Sequence, residues 1–211
     1  MLKKWFENIW YHYKWFIISG VLGAFVLTVV VGQCATKAKY DLSVVVCFTQ
    51  TEITDNQVEL IKQGVIEYAE DYNGDGKVNL NFINCTFFEN SKDQQYVMTK
   101  RSKLQISAMG ESSAILYITD DKAFQYIDDI MAESGGFFDN VNLPEHNGKA
   151  LKISGLPFYS DFLKTGDKLP QNLYISKRVI KGTLIEAKDN VTVYEDASDK
   201  FLESLTKATT K

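Results

Sequence analysis

The run Asp71-Tyr72-Asn73-Gly74-Asp75-Gly76-Lys77-Val78-Asn79 places oxygens at alternate positions. An EF-hand-type calcium loop does the same, with ligands at positions 1, 3, 5, 7 and 9, glycine at 6 and a bidentate carboxylate at 12. Asp71, Asn73 and Asp75 fill 1, 3 and 5, and Gly76 fills 6. The Lys77 carbonyl serves at 7 and Asn79 at 9. Position 12 is Phe82, so the bidentate ligand must come from elsewhere in the chain. Calcium (Ca2+) held here is expected to bind weakly and to act structurally. The same residues also read as a plain helix-to-strand connection, because Asn73-Gly74 and Asp75-Gly76 are pairs that supply positive φ.

A second set lies where two apolar runs end. Thr49 and Gln50 follow one, and Asp120 and Asp121 follow another. The carboxyl edge of an α/β sheet is where such proteins bind ligands, so these four form the candidate ligand-binding set. Asp120-Asp121 also reads as a helix cap that stabilises the helix dipole. The two histidines, His12 and His146, are far apart, and no Cys/His spacing suggests zinc. There is no G-x-S-x-G, H-E-x-x-H or G-x-x-x-x-G-K-[ST]. Lys177 and Arg178 end a strand-like run and read as solvated charges. Phe137, Phe138, Phe158 and Tyr159 fall in loops, where they pack the core edge or line a groove.

The elements that must position these residues alternate. Leu42 to Thr49 is a buried, β-branched strand. Thr54 and Gln57 form a capping box ahead of a helical face of Val58, Ile61, Val65, Ile66 and Ala69. Val78 to Phe87 reads as a strand. Ser91 and Gln94 repeat the capping signature ahead of a helix to about Met109. Ala114 to Thr119 is the third strand, and Asp120-Asp121 opens a helix to about Ala132. This grammar predicts an α/β domain with a mostly parallel sheet and crossover helices. Beyond Gly135-Gly136 a long loop leads to strands at Ala150–Ile153 and Leu173–Ile180 and a closing helix at Ser198–Lys207.

Ahead of that domain, Trp15 to Thr36 carries no charge. About 20 apolar residues cross a bilayer as a helix, because a helix satisfies its own backbone. Lys3, Lys4 and Lys14 precede it against one acid, Glu7, which predicts a cytoplasmic N-terminus. The expected organisation is a cytoplasmic segment 1–14, a transmembrane helix 15–36 and an extracytoplasmic α/β domain 37–211. That corresponds to a single-pass protein of the cell membrane with an extracellular C-terminal domain. Leu2, Trp5, Phe6, Ile9, Trp10 and Tyr13 share one helical face, which suits the membrane interface. Ser19 with Gly23 and Gly20 with Ala24 are small pairs through which the helix could oligomerise. A cleaved signal peptide is the rival reading, with Val30 and Gly32 before the cut; its leading region would be long and aromatic.

The chain has 23 Lys and Arg against 27 Asp and Glu, and no basic stripe, which argues against a nucleic-acid partner. Cys47 and Cys85 fall in apolar runs and read as buried free thiols, with a bridge between neighbouring strands as the alternative. The stretches D-Y-N-G-D-G-K-V (71–78), S-A-I-L-Y-I-T-D-D (113–121), G-L-P-F-Y-S (155–160) and N-L-Y-I-S-K-R-V-I (172–180) carry a resemblance. Behind an aromatic anchor, they resemble uncharacterised membrane-anchored proteins of clostridia and other Firmicutes. Those domains are in turn similar to one lobe of type II solute-binding proteins. Two functional expectations follow. One is an interaction or accessory module at the membrane's outer face, partnered with another membrane or cell-surface protein. The other is extracellular binding of a small solute or peptide. No catalytic set points to an enzyme.

Overall fold

The computed structural model describes residues 2–35, 40–49, 53–88, 91–164, 170–183, 185–188 and 191–209. The chain divides into two units, Met1–Lys39 and Tyr40–Lys211.

The first unit is one α-helix, α1 (Leu2–Ala35), of 34 residues. Its stretch Trp10–Val29 has mean hydropathy 1.4 and is 0% buried. At 1.5 Å per residue those 20 residues rise about 30 Å, the thickness of a bilayer core. The helix is therefore long and apolar enough to cross a membrane. That stretch includes Lys14 and overlaps the uncharged run that begins at Trp15. Thr28 returns its hydroxyl to the Ala24 carbonyl at 2.8 Å, so that hydroxyl is satisfied within the helix. Thr36 lies outside the described residues.

The second unit is built on a five-stranded sheet of order β2-β1-β3-β5-β4. Strands β1 (Leu42–Cys47), β2 (Leu80–Asn84) and β3 (Ala114–Asp120) are parallel. Strand β5 (Leu173–Lys177) runs antiparallel to both β3 and β4 (Ala150–Lys152). The sheet is thus mostly parallel, with one reversed strand. The reversal follows from connectivity: β4 reaches β5 through α5 (Pro157–Lys164) and the chain after it, and β5 slots in beside β3.

Both faces are covered, which is why β1 reads apolar at successive positions. Leu42, Val44 and Val46 pack against α2 (Asp55–Ile66), α5 and α6 (Val191–Thr209) through Ile61, Phe158 and Phe201. Val45 and Cys47 face α3 (Gln94–Gly110) and α4 (Asp121–Asp128) through Leu104 and Phe124. Every β1 residue from Leu42 to Cys47 is at most 1% exposed. Each such burial of a large apolar side chain contributes about 1.5–3 kcal/mol. Gly64 lets α2 approach α5, since a Cβ there would stand 2.3 Å from the Phe158 ring. Lys177 is 3% exposed and pairs with Asp199 at 2.6 Å, fastening α6 to the sheet.

Several expectations need correction. Strand β2 spans Leu80–Asn84 rather than Val78–Phe87: Val78 is exposed, while Cys85 and Phe87 N–H still donate to the Val46 and Phe48 carbonyls at 2.8 and 3.0 Å beyond the strand's end. The capping box at Thr54 and Gln57 is present. The one at Ser91 and Gln94 is not: Asp93 caps α3 by accepting from Tyr96 N–H at 2.9 Å, and Ser91 Oγ accepts from Asp93 N–H instead. Helix α4 ends at Asp128 and continues as a 3-10 turn, Asp129–Ser134. Phe158 and Tyr159 lie in helix α5 rather than a loop. Lys177 and Arg178, expected in solvent, are buried at 3% and 2% exposure. Cys47, the last residue of β1, and Cys85, just past the end of β2, are buried and not joined in a disulfide. Burial pushes the Cys47 thiol up, so it stays protonated and inert.

Candidate functional site

The order of strands reverses at β1: the chain goes to β2 on one side, then crosses to β3 on the other. The carboxyl ends of β1 and β3 therefore form a switch point, where α/β sheets open a crevice. Thr49 and Asp120 meet there. Asp120 Oδ2 accepts from Thr49 N–H at 2.9 Å, and Oδ1 accepts from Ala123 N–H at 2.8 Å and from the Thr49 hydroxyl at 3.3 Å. Asp120 is 1% exposed. It caps α4 and clasps β1 to β3, so its role is positional. Gln50 lies outside the described residues.

Asp121 opens α4 and keeps 39% of its side chain exposed. Its carboxylate lies beside the Tyr174 phenol on β5. Burial and that carboxylate push the phenol up to about 12, so it remains a donor at neutral pH. His146 Nε2 stands 3.4 Å from Asp121 Oδ1 without hydrogen-bond alignment. The imidazole stacks on Phe124 at 4.1 Å between centroids and meets Tyr174 edge-on at 4.4 Å.

The backbone that delivers His146 is strained. His146, Asn147 and Gly148 have φ of 48°, 57° and 91° in succession. Non-glycine residues there cost about 1–2 kcal/mol each. Glu145 and Ala150 exchange backbone hydrogen bonds at 2.9 and 3.1 Å and clamp the loop ends. The result is a carboxylate flanked by an imidazole and a phenol, with aromatic rings behind. That set can bind a polar ligand and orient it. His146, Tyr174 and Phe124 had no local signal in sequence; only the Asn147-Gly148 pair marked the turn.

The loop Asp71–Asn79 lies at the opposite, amino end of β1. Its backbone winds around Asp71, whose Oδ1 accepts from Gly74 and Asp75 N–H at 2.7 and 3.1 Å and whose Oδ2 accepts from Gly76 N–H at 2.7 Å. Asn73 Oδ1 accepts from Asp75 N–H and Asp75 Oδ1 from Lys77 N–H, each at 2.9 Å. Gly74 and Gly76 have φ of 73° and 81°, which a side chain would strain. One carboxylate does arrive from elsewhere: Asp41, 2% exposed, accepts from Tyr72, Asn73 and Asn79 N–H at 2.9, 3.0 and 2.7 Å. It closes the loop's base. Among the described residues no group of three or more His, Cys, Asp or Glu stands close enough to hold a metal.

No protein-family model matches the chain, and no curated protein or solved structure matches it.

Proposed function

We propose that the chain is an interaction module tethered to the cell membrane by α1, with its α/β unit outside the cytoplasm and engaged with another membrane or cell-surface protein. The observation that carries this is the apolar helix Trp10–Val29, no part of which is packed inside protein. A helix so exposed needs a lipid or protein environment. The lysines before it favour a cytoplasmic N-terminus. On the α/β unit, α3 exposes Met98 and Ile106 at 69% and 71%, eight residues apart on one helical face and open to a partner.

A second reading rests on the Asp121–His146–Tyr174 cluster: capture of a small solute or peptide at the carboxyl edge of the sheet. The resemblance to one lobe of type II solute-binding proteins supports it. Affinity capture of the full chain from native membranes separates the two. A co-purifying surface protein, retained by D121A and H146A, supports the first reading. A small molecule lost with either variant supports the second. Capture of neither contradicts both.

We also propose that the Asp71–Asn79 loop takes calcium in a structural role. Asp71, Asn73, Asp75 and the Lys77 carbonyl supply the oxygens, with too few charges for tight binding, so affinity is expected at roughly 10⁻⁴–10⁻³ M. In millimolar calcium the melting midpoint of the full chain should exceed that in chelator, and Asp71→Ala with Asp75→Ala should remove the difference. Equal midpoints with and without chelator would reduce the loop to a turn.

A further inference from the structure

One inner face of the sheet holds buried polar groups that no described residue satisfies. Tyr117 on β3 lies opposite Ser176 on β5, and Thr119 lies opposite Tyr174. Arg178 follows Ser176 by two positions and so leaves the sheet on the same face. Tyr117, Ser176 and Thr119 are 0% exposed and Arg178 is 2% exposed. Among the described residues, Arg178 Nε and Nη1, Tyr117 Oη, Ser176 Oγ and Thr119 Oγ1 have no hydrogen-bond partner. The guanidinium lies 5.0 Å from the centre of the Phe137 ring, which Tyr117 meets edge-on at 5.2 Å. Tyr117 Oη is beside the guanidinium but not in hydrogen-bonding geometry with it.

An enclosed guanidinium is normally neutralised by a carboxylate. Here the acid of the adjoining segment, Asp128, is occupied by Lys149 Nζ at 2.8 Å and by Phe138 N–H at 2.9 Å. The Phe137 ring attracts the cation through its face but offers nothing to the N–H groups at its edge. Water would satisfy those donors and leave the charge uncompensated. A small anion does both, and the hydroxyls of Tyr117 and Ser176 can rotate to donate to it. The burial of all these side chains favours a monatomic or similarly compact ion.

We propose that Arg178, Tyr117 and Ser176 bind a small inorganic anion of the halide class inside the α/β unit. The site is separate from the carboxyl-edge cluster and does not depend on the function proposed above. The test is thermal melting of the full chain in detergent micelles, in sodium chloride or bromide against sodium gluconate at equal ionic strength. The halides should raise the midpoint saturably, by roughly 3–6 °C at about ten times Kd. R178M should abolish the dependence, and S176A, which keeps the cation, should shift it to higher halide concentration. Crystals of the unaltered chain soaked in bromide provide a readout that needs no variant: an anomalous peak is expected beside the Arg178 guanidinium. Equal midpoints in halide and gluconate, a halide response that persists in R178M, or a site without bromide would each overturn the proposal.

Discussion

Replacing Val45 with aspartate is expected to unfold the α/β unit. Val45 is 0% exposed on β1, paired in register with Ile83 on one side and Tyr117 on the other. Its side chain enters the apolar layer with Leu104, Phe124 and Phe137. Its register neighbours carry no cation, and the Arg178 guanidinium on the same face follows β5, two strands away from β1. An unpaired buried charge costs several kcal/mol, and domains of this size hold only about 5–15 kcal/mol in total. V45A removes volume without adding charge and should cost about 2 kcal/mol, leaving a folded chain. Circular dichroism and cooperative melting of the two variants separate these cases. A cooperatively melting V45D would mean that β1 is not an interior strand.

The second large effect is expected at Asp41. Its two oxygens satisfy three backbone N–H groups, of Tyr72, Asn73 and Asn79, which lie 31 to 38 residues away in the chain. Alanine would orphan all three. Each costs about 1–3 kcal/mol where water cannot reach it, and less where the loop is open. D41A should therefore lose roughly 2–4 kcal/mol in denaturant unfolding. D41N keeps one acceptor oxygen and should lose less. Amide exchange at Tyr72, Asn73 and Asn79 should quicken in D41A before the rest of the sheet is affected. Unchanged stability and exchange in D41A would remove Asp41 from the role described.

The three parallel strands were legible because both faces of each of β1 and β3 are covered, so hydrophobicity runs along the strand instead of alternating. The Thr54 cap and the Asp120 cap were legible because capping is local, within three residues. The reversal of β5 was not, since direction depends on where the chain returns. Lys177 and Arg178 were misread for a related reason. A strand end usually reaches solvent, but here α6 covers Lys177 with Asp199, while Phe137 and Phe138 cover Arg178. At the carboxyl edge, Thr49 and Asp120 were found by position, yet they fasten one another. His146 and Tyr174, which flank the open carboxylate of Asp121, come from a loop and a strand 28 residues apart, and no spacing rule joins them. Asp41 was passed over because all its partners are distant.

Anchoring with the α/β unit outside is tested most directly by protease added to intact cells. The expected result is digestion of the unit after Lys39 and survival of a membrane-embedded fragment that retains residues 1–14. Protection of the α/β unit until the cells are broken, or a mature chain that begins after Gly32, would contradict it.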